Sequence, residues 1–356
     1  MRVKPKQCGV IHRDDSPESR ILRTGAKEKT MAESIGVLTR EDVLDSLKNL
    51  RQAQEVDYSA FYSSHLGGVV TDPALMVIPF DDHMVHRGHG IFDTAAIIEG
   101  KIYDLENHLD RFIRSAEASK LELPSREEMR EIVIRTSALS GRREGSIRYW
   151  ASSGTGNLGL IPAGDAKPAF FVMIFGGLDY PERYYAEGMR VMTTTYPIKP
   201  PLYAVTKSTN YLPNTLMQME AKEHGLDNGI FVDEAGNVGE GSNMNCAFVT
   251  AGGVLRHPRF ENILSGCTVK RLLELASRLV DQGVIKDVVV DDIPVAEAKA
   301  SAEMMLIGSS IYVAPVTQWD DQVIGDGKPG PVTKAMRELL EEDMRSGEGM
   351  LIDVPY

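Results

Sequence analysis

The sequence predicts an α/β protein of the α+β kind with two domains, and three observations predict it. Its 356 residues exceed the usual size of one hydrophobic core. Strand-like runs and runs at helical period follow one another along most of the chain. The stretch GGLDYPERYYAEG, 176–188, mixes glycine, proline and charge between two strand-like runs, as a linker does. The expected organisation is a disordered extension over 1–40, a small α/β domain over 41–178, a linker over 179–187 and a larger, strand-rich α/β domain over 188–356.

In chain order, residues 41–60 read as a helix, and HLGGVVTDPALMVIPFDD alternates strand-like pieces with Gly and Pro turns. GIFDTAAIIEGKIYDL follows, with a hairpin expected at Glu99-Gly100. Leu109, Phe112, Ile113 and Ala116 recur at helical spacing while Asp110, Arg111 and Arg114 take other faces, which puts Arg111 on an amphipathic helix. A second helix, near 125–139, leads to the strand SIRYWAS, a Gly-rich turn and the apolar strand AFFVMIF.

Past the linker come the strand GMRVMTTTY, the loop VTKSTNYLPN, a helix near 213–224 ended by Gly225, and strands at GIFV, CAFV and GVLRH. VKRLLELASRLV repeats at helical spacing, DVVV reads as a strand, AEAKASAEM as a helix and LIGSSIYVAPV as a strand. A terminal helix follows Pro331.

Composition narrows the function. A net charge of −12 repels nucleic acid phosphates and anionic membrane surfaces, and no basic, aromatic-interleaved stripe opposes it. The longest apolar run, AFFVMIF, is far shorter than the ~18 residues of a membrane span. Cys8, Cys246 and Cys267 are too few and too scattered for a disulfide framework, which suits a reducing compartment. A soluble cytoplasmic protein is expected, or a plastid or other organellar one if the first thirty residues, with eight Lys or Arg against four Asp or Glu, are a targeting segment.

Two motifs point elsewhere and are set aside. Gly154-Thr-Gly-Asn-Leu-Gly159 matches a dinucleotide fingerprint, but LIPAGDAKP follows where the phosphate-binding helix must run. His83, His86 and His89 recur every third residue, yet Gly88 and Gly90 argue for extended backbone, in which the imidazoles face opposite ways. No metal is expected.

Three other segments share one chemistry. Lys207 stands among small, polar and amide side chains with no acid in the stretch, and a sheltered lysine loses its charge easily enough to attack an aldehyde. Gly266-Cys267-Thr268 opens an amphipathic helix whose free N–H groups suit a phosphate. Glu240, between glycines in a strand-like run, suits a ring nitrogen that must stay protonated. Together they imply pyridoxal phosphate.

At this point KSTNYLPN, EGSNMN and NILSGCT, with GHGIFD and HLDRF, resemble the class IV aminotransferases in order and approximate spacing over about 61–345. HRGHGIFDTA and SAEMM make the resemblance greatest to the plant-type D-amino acid transaminase branch. The resemblance implies the fold type IV architecture, pyridoxal 5'-phosphate in a cleft between two domains, and a homodimer in which a partner loop closes each site. It also implies roles: Lys207 as the Schiff-base lysine and proton shuttle, Glu240 at the pyridine nitrogen, and Arg111 on the phosphate. Cys267 and Thr268 would offer backbone N–H groups to the phosphate, Ser309 or Ser310 a hydroxyl. Tyr211 resembles a tyrosine near the ring hydroxyl of branched-chain enzymes, across a one-residue gap, and Arg148 a substrate-side arginine.

The activity implied is transamination of D-alanine- or D-glutamate-type donors with pyruvate or 2-oxoglutarate. Bacterial D-amino acid transaminases carry an Arg-x-His carboxylate trap where this chain has SSGTGNLG. Two alternatives stay open at this level, an aminodeoxychorismate lyase and an L-branched-chain transaminase.

Overall fold

The computed structural model describes residues 32, 35–54 and 57–356, so the expectation for 1–40 falls mostly outside them. Both sheets described below lie in one unit of the chain, within residues 47–356, and the described residues up to 46 fall in another.

Thr39 and Asp42 start α1 (Arg40–Gln52) by exchanging hydrogen bonds, Thr39 N to Asp42 Oδ2 at 2.9 Å and Asp42 N to Thr39 Oγ1 at 3.2 Å. The helix expected over 41–60 ends at Gln52. YSAFYS is instead strand β1 (Tyr58–Ser63), because its aromatics find a sheet to pack on: Phe61 stacks on Phe171 with ring centroids 5.9 Å apart.

The first sheet adds β2 (Gly68–Val70), β3 (Gly90–Ile98), β4 (Lys101–Tyr103), β5 (Gly145–Ser152), β6 (Ala169–Phe175) and a C-terminal strand, Leu351–Asp353. Its order is C-terminal strand, β4, β3, β5, β6, β1, β2, with antiparallel pairing throughout. The hairpin at Glu99-Gly100 is present: Ile98 faces Lys101, and both turn residues have positive φ, 50° and 80°. α2 (His83–Arg87) precedes β3, and α3 (Leu105–Ser119) and α4 (Arg126–Ser140) follow β4. Leu105, Leu109 and Phe112 of α3 and Val133 of α4 bury against Ile91, Ile147 and Phe170.

The stretch read as a linker contains α5 (Arg183–Ala186). Then come β7 (Met189–Thr193), α6 (Pro201–Ala204), α7 (Leu212–Glu223), β8 (Asn228–Val232), β9 (Val238–Gly241), β10 (Asn245–Val249) and β11 (Val254–Pro258). VKRLLELASRLV forms two helices rather than one, α8 (Cys267–Leu275) and α9 (Ser277–Asp281), meeting at Ala276. β12 (Asp287–Asp291) and α10 (Val295–Lys299) follow.

The helix expected through AEAKASAEM stops at Lys299. Its last residues begin β13 (Glu303–Gly308), drawn into the sheet between β10 and β14 (Tyr312–Trp319). LIGSSIYVAPV is thus two strands joined by a tight turn, which leaves Ser309 and Ser310 at a bend instead of in a ladder. β15 (Gln322–Val323) and α11 (Pro331–Ser346) lead to the C-terminal strand. The second sheet runs β12, β11, β10, β13, β14, β7, β8, β9, with β15 on β14. Helices α8 and α11 cover one face through Leu272, Met336 and Leu340. Among the described residues no helix is long and apolar enough to cross a membrane.

Candidate active site

Lys207 sits in the loop between α6 and α7, and that loop is stitched to the start of β3. Phe92 N donates to Lys207 O at 3.0 Å and Thr209 N to Gly90 O at 2.8 Å, while Lys207 N reaches Ser115 Oγ on α3 at 3.2 Å. The backbone around the lysine is therefore held by two elements of the first sheet layer. Its Nζ donates to Tyr211 Oη at 3.3 Å and lies 4.7 Å from the centre of the Phe92 ring. Burial first, and then the Arg111 charge, lowers the lysine to about 8, against the pull of Asp93 and Glu240. Near neutral pH a useful fraction is already the free amine.

Arg111 is 5 % exposed on the inner face of α3. Asp93 of β3 receives both Arg111 Nε, at 2.9 Å on Oδ2, and Nη2, at 2.7 Å on Oδ1. The same carboxylate accepts Thr94 N at 2.7 Å and faces His108 Nδ1 at 2.9 Å. These partners hold the Asp93 carboxyl well below the usual range despite full burial.

α8 begins opposite Arg111. Its N-cap is Gly266, which offers no side-chain cap, so the first-turn N–H groups of Cys267 and Thr268 face the cavity without a capping oxygen. A β-carbon on Gly266 would meet Asn245 Oδ1 at 2.0 Å, which explains the glycine. The β13–β14 bend brings Ser309 Oγ within 3.2 Å of Thr268 Oγ1. Glu240 of β9 is 5 % exposed, accepts Leu264 N at 3.1 Å, and is raised by burial.

Arg111, Lys207, Tyr211, Glu240, Cys267, Thr268 and Ser309 thus line one cavity of about 40 Å³. A second, of about 250 Å³, adjoins it across Lys207 and Tyr211 and is lined by Phe92, Arg148, Tyr180 and Ser310. The two serines therefore differ: Ser309 lines both cavities and Ser310 the second alone. Arg148 is half-buried rather than a surface arginine. Its Nε donates to Thr94 Oγ1 at 3.2 Å, its guanidinium lies 5.5 Å from the Phe92 ring centre, and burial lowers its affinity for a proton. Among the described residues no carboxylate pairs with it. The arrangement offers an anion cup, a lysine that gives up its proton easily, a buried acid and a second cation with no carboxylate partner among the described residues around one cleft.

Asp93, His108 and Asn214 were not singled out from sequence. Asp93 left a signal, as the one acid inside the apolar run GIFDTAAII, where a buried charge needs a partner. Asn214 is 4 % exposed, and its Oδ1 has no hydrogen-bond partner among the described residues.

The set-aside motifs resolve differently. Gly154–Gly159 open no helix, and Gly154, at φ 85°, approaches Lys167 O so closely that a β-carbon would lie 1.9 Å away. The histidine segment is not extended: α2 gathers the three rings, with His83 centred 5.1 Å from both His86 and His89. The N-capping carboxylate of Asp82 starts that helix, and Gly88 only ends it. Their nitrogens still do not all fall within 4.8 Å of one another.

The fold and this cleft define a class. Residues 90–319 match the Amino-transferase class IV family, and the chain belongs to it. It is similar to a chloroplastic D-amino-acid transaminase of Arabidopsis thaliana, 49 % identical over 91 % of this chain and 86 % of the relative. It is 28 % identical to a D-alanine aminotransferase of Staphylococcus haemolyticus over 79 % of this chain and 97 % of that one. A T.th. branched-chain amino acid aminotransferase, solved with pyridoxamine 5'-phosphate, superposes with a TM-score of 0.77 at 27 % identity, covering 84 % of this chain and 100 % of that one. The chain is an enzyme of the aminotransferase kind with a two-sheet α+β fold.

Proposed function

We propose that the enzyme uses pyridoxal 5'-phosphate to transaminate D-amino acids of the D-alanine or D-glutamate type, with pyruvate or 2-oxoglutarate as acceptor, and that it works as a homodimer. The observation that carries this is the grouping of Lys207, Glu240, Arg111 and the uncapped start of α8 around one cavity.

The residues fit the cofactor. Arg111, the N–H groups of Cys267 and Thr268 and the hydroxyls of Thr268 and Ser309 suit a phosphate. Glu240 suits a protonated ring nitrogen, which would favour its charged form against burial. When bound, the cofactor supplies an aldehyde to take up the amino group and a ring to withdraw charge from the substrate's Cα.

Lys207 then serves as acid and base. Its free amine takes the proton from the substrate's Cα and holds it on Nζ as the ammonium, on the same face of the cleft, with Tyr211 Oη 3.3 Å away to orient it. Arg148 binds the substrate carboxylate through its planar fork, and the Phe92 ring keeps water from its face. Asp93 keeps Arg111 aimed, and Nη1, which otherwise donates to Ser265 O at 3.3 Å, is the edge left for a phosphate without reorganisation.

The preference for D-amino acids rests on the 49 % identity to the plant D-amino-acid transaminase. One observation favours an L-branched-chain reading, the tyrosine hydroxyl beside Lys207, which matches the branched-chain pattern. A panel of donors in both enantiomers, with aminodeoxychorismate included, decides. Pyruvate formed from D-alanine with glutamate from 2-oxoglutarate is expected. Turnover of L-leucine alone, or pyruvate from aminodeoxychorismate without a keto acid, overturns the choice.

The homodimer is supported by Leu158, Leu160 and Ile161, an apolar run 58 %, 81 % and 79 % exposed. Sedimentation of the wild type and of L160D/I161D tests it, with a monomeric wild type as the adverse result. Fusing residues 1–30 to a fluorescent protein tests organellar import, for which the relative's chloroplastic name argues.

A further inference from the structure

On the far side of the anion cup lies a cluster that the proposed transamination does not use. Asp104, His108 and Cys267 are 3 %, 3 % and 6 % exposed, and one donor atom from each lies within 4.8 Å of the others. Asp104 stands at the N-cap of α3 with φ 57° but its side chain makes no capping bond there; among the described residues it accepts one hydrogen bond, from Asn107 Nδ2 on Oδ1 at 2.6 Å. His108 Nδ1 faces both Asp93 Oδ1, at 2.9 Å, and Arg111 Nη2, at 3.1 Å, so that edge of the ring is held by the Asp93–Arg111 pair. That directs Nε2 away from Asp93, and the carboxylate behind the ring fixes its orientation as one behind a metal-binding imidazole does. Cys267 Sγ lies 3.6 Å from Asn107 O, about the edge length of a tetrahedron whose centre makes the usual ~2.0–2.3 Å zinc bonds.

We infer that Asp104, His108 and Cys267 form a binding site for a borderline divalent transition metal of the zinc or cobalt kind, with Asn107 O or a water as the fourth ligand. Charge agrees with the geometry. Asp93 and Arg111 balance each other, so a thiolate and a carboxylate with a neutral imidazole leave two negative charges for one dication. Metal entry displaces the thiol proton of Cys267, as it does wherever a thiol ligates. The thiolate and imidazole favour zinc or cobalt over magnesium or calcium, which prefer oxygen alone. Of the three, Cys267 alone also lines a cleft of about 140 Å³, together with Asn107, Arg114, Lys270, Arg271 and Ser265, whose Oγ is buried with no partner among the described residues.

Such an ion ties the first turn of α3 to the first turn of α8. Those two helices carry Arg111 and the N–H groups of the cup, so metal loading tightens retention of the phosphate-bearing cofactor.

The test uses the full chain with its own cofactor, stripped of metal by chelator and dialysed against cobalt(II). About one cobalt per chain is expected, with a near-ultraviolet thiolate-to-cobalt band. C267S abolishes that band and weakens cobalt binding by at least ~10-fold. D104N weakens binding with the band still visible at saturation, while C246S, in the core of the second sheet, changes neither. Tryptophan fluorescence confirms folding of each variant, and D104N decides alone if C267S does not fold. No cobalt retained by the wild type, cobalt retained equally by C267S and D104N, or binding without the band overturns the site.

Discussion

Asp93 holds Arg111 by two parallel hydrogen bonds, 2.9 Å to Nε and 2.7 Å to Nη2, with both side chains out of water. A buried pair of this kind contributes little as a pair, but breaking it leaves a buried charge without a partner.

Asp93→Asn is therefore expected to destabilise the protein by about 3 kcal/mol and to loosen the cofactor. Thermal melting and cofactor content after gel filtration measure the two effects. An unchanged melting temperature sinks the assignment of Asp93 as the residue that aims Arg111.

Lys207 gives a pH dependence whose sign follows from burial. Its folded-state value, about 8, lies below that of an ordinary lysine, so the unfolded chain binds more protons between the two. Stability of the cofactor-free protein should accordingly rise with pH from about 8 into the ordinary lysine range. Capture of pyridoxal 5'-phosphate should quicken as pH passes upward through about 8, followed by stopped-flow absorbance. A midpoint near that of an exposed lysine would contradict the burial argument. Lys207→Ala should lower turnover by about 10³-fold and leave no borohydride-fixed pyridoxyl tag on its peptide.

Glu240→Gln keeps an acceptor for Leu264 N but removes the charge. Turnover is expected to fall by about 10²-fold, with cofactor content near that of the wild type because the phosphate cup is intact. Loss of cofactor with unchanged turnover per bound cofactor would assign Glu240 to binding instead.

Arg148→Lys preserves charge and loses the planar fork. With no carboxylate partner among the described residues, Arg148 is free for substrate, and the loss should appear as a roughly 10- to 100-fold lower kcat/KM. The effect belongs mainly in KM. A variant with normal KM for both donor and acceptor would leave Arg148 without a substrate role.

The amino-acid string marked the residues that line the cleft and most of its elements. Lys207 in a stretch without acids, Glu240 between glycines and Gly266-Cys267-Thr268 before a helical period are local patterns, and hairpin residues such as Glu99-Gly100 act over two positions. Tertiary contact decided the rest. YSAFYS became a strand because Phe171 lies beside Phe61, and Ser309 turned toward Thr268 because β13 and β14 pair with Gly308 opposite Tyr312. The clamp of Asp93 on Arg111 joins positions eighteen residues apart, and Cys267 meets Asn107 across 160 positions. Periodicity and turn propensity are short-ranged, whereas a buried charge is satisfied by whatever the folded chain brings within hydrogen-bond reach, so those partners became legible only in three dimensions.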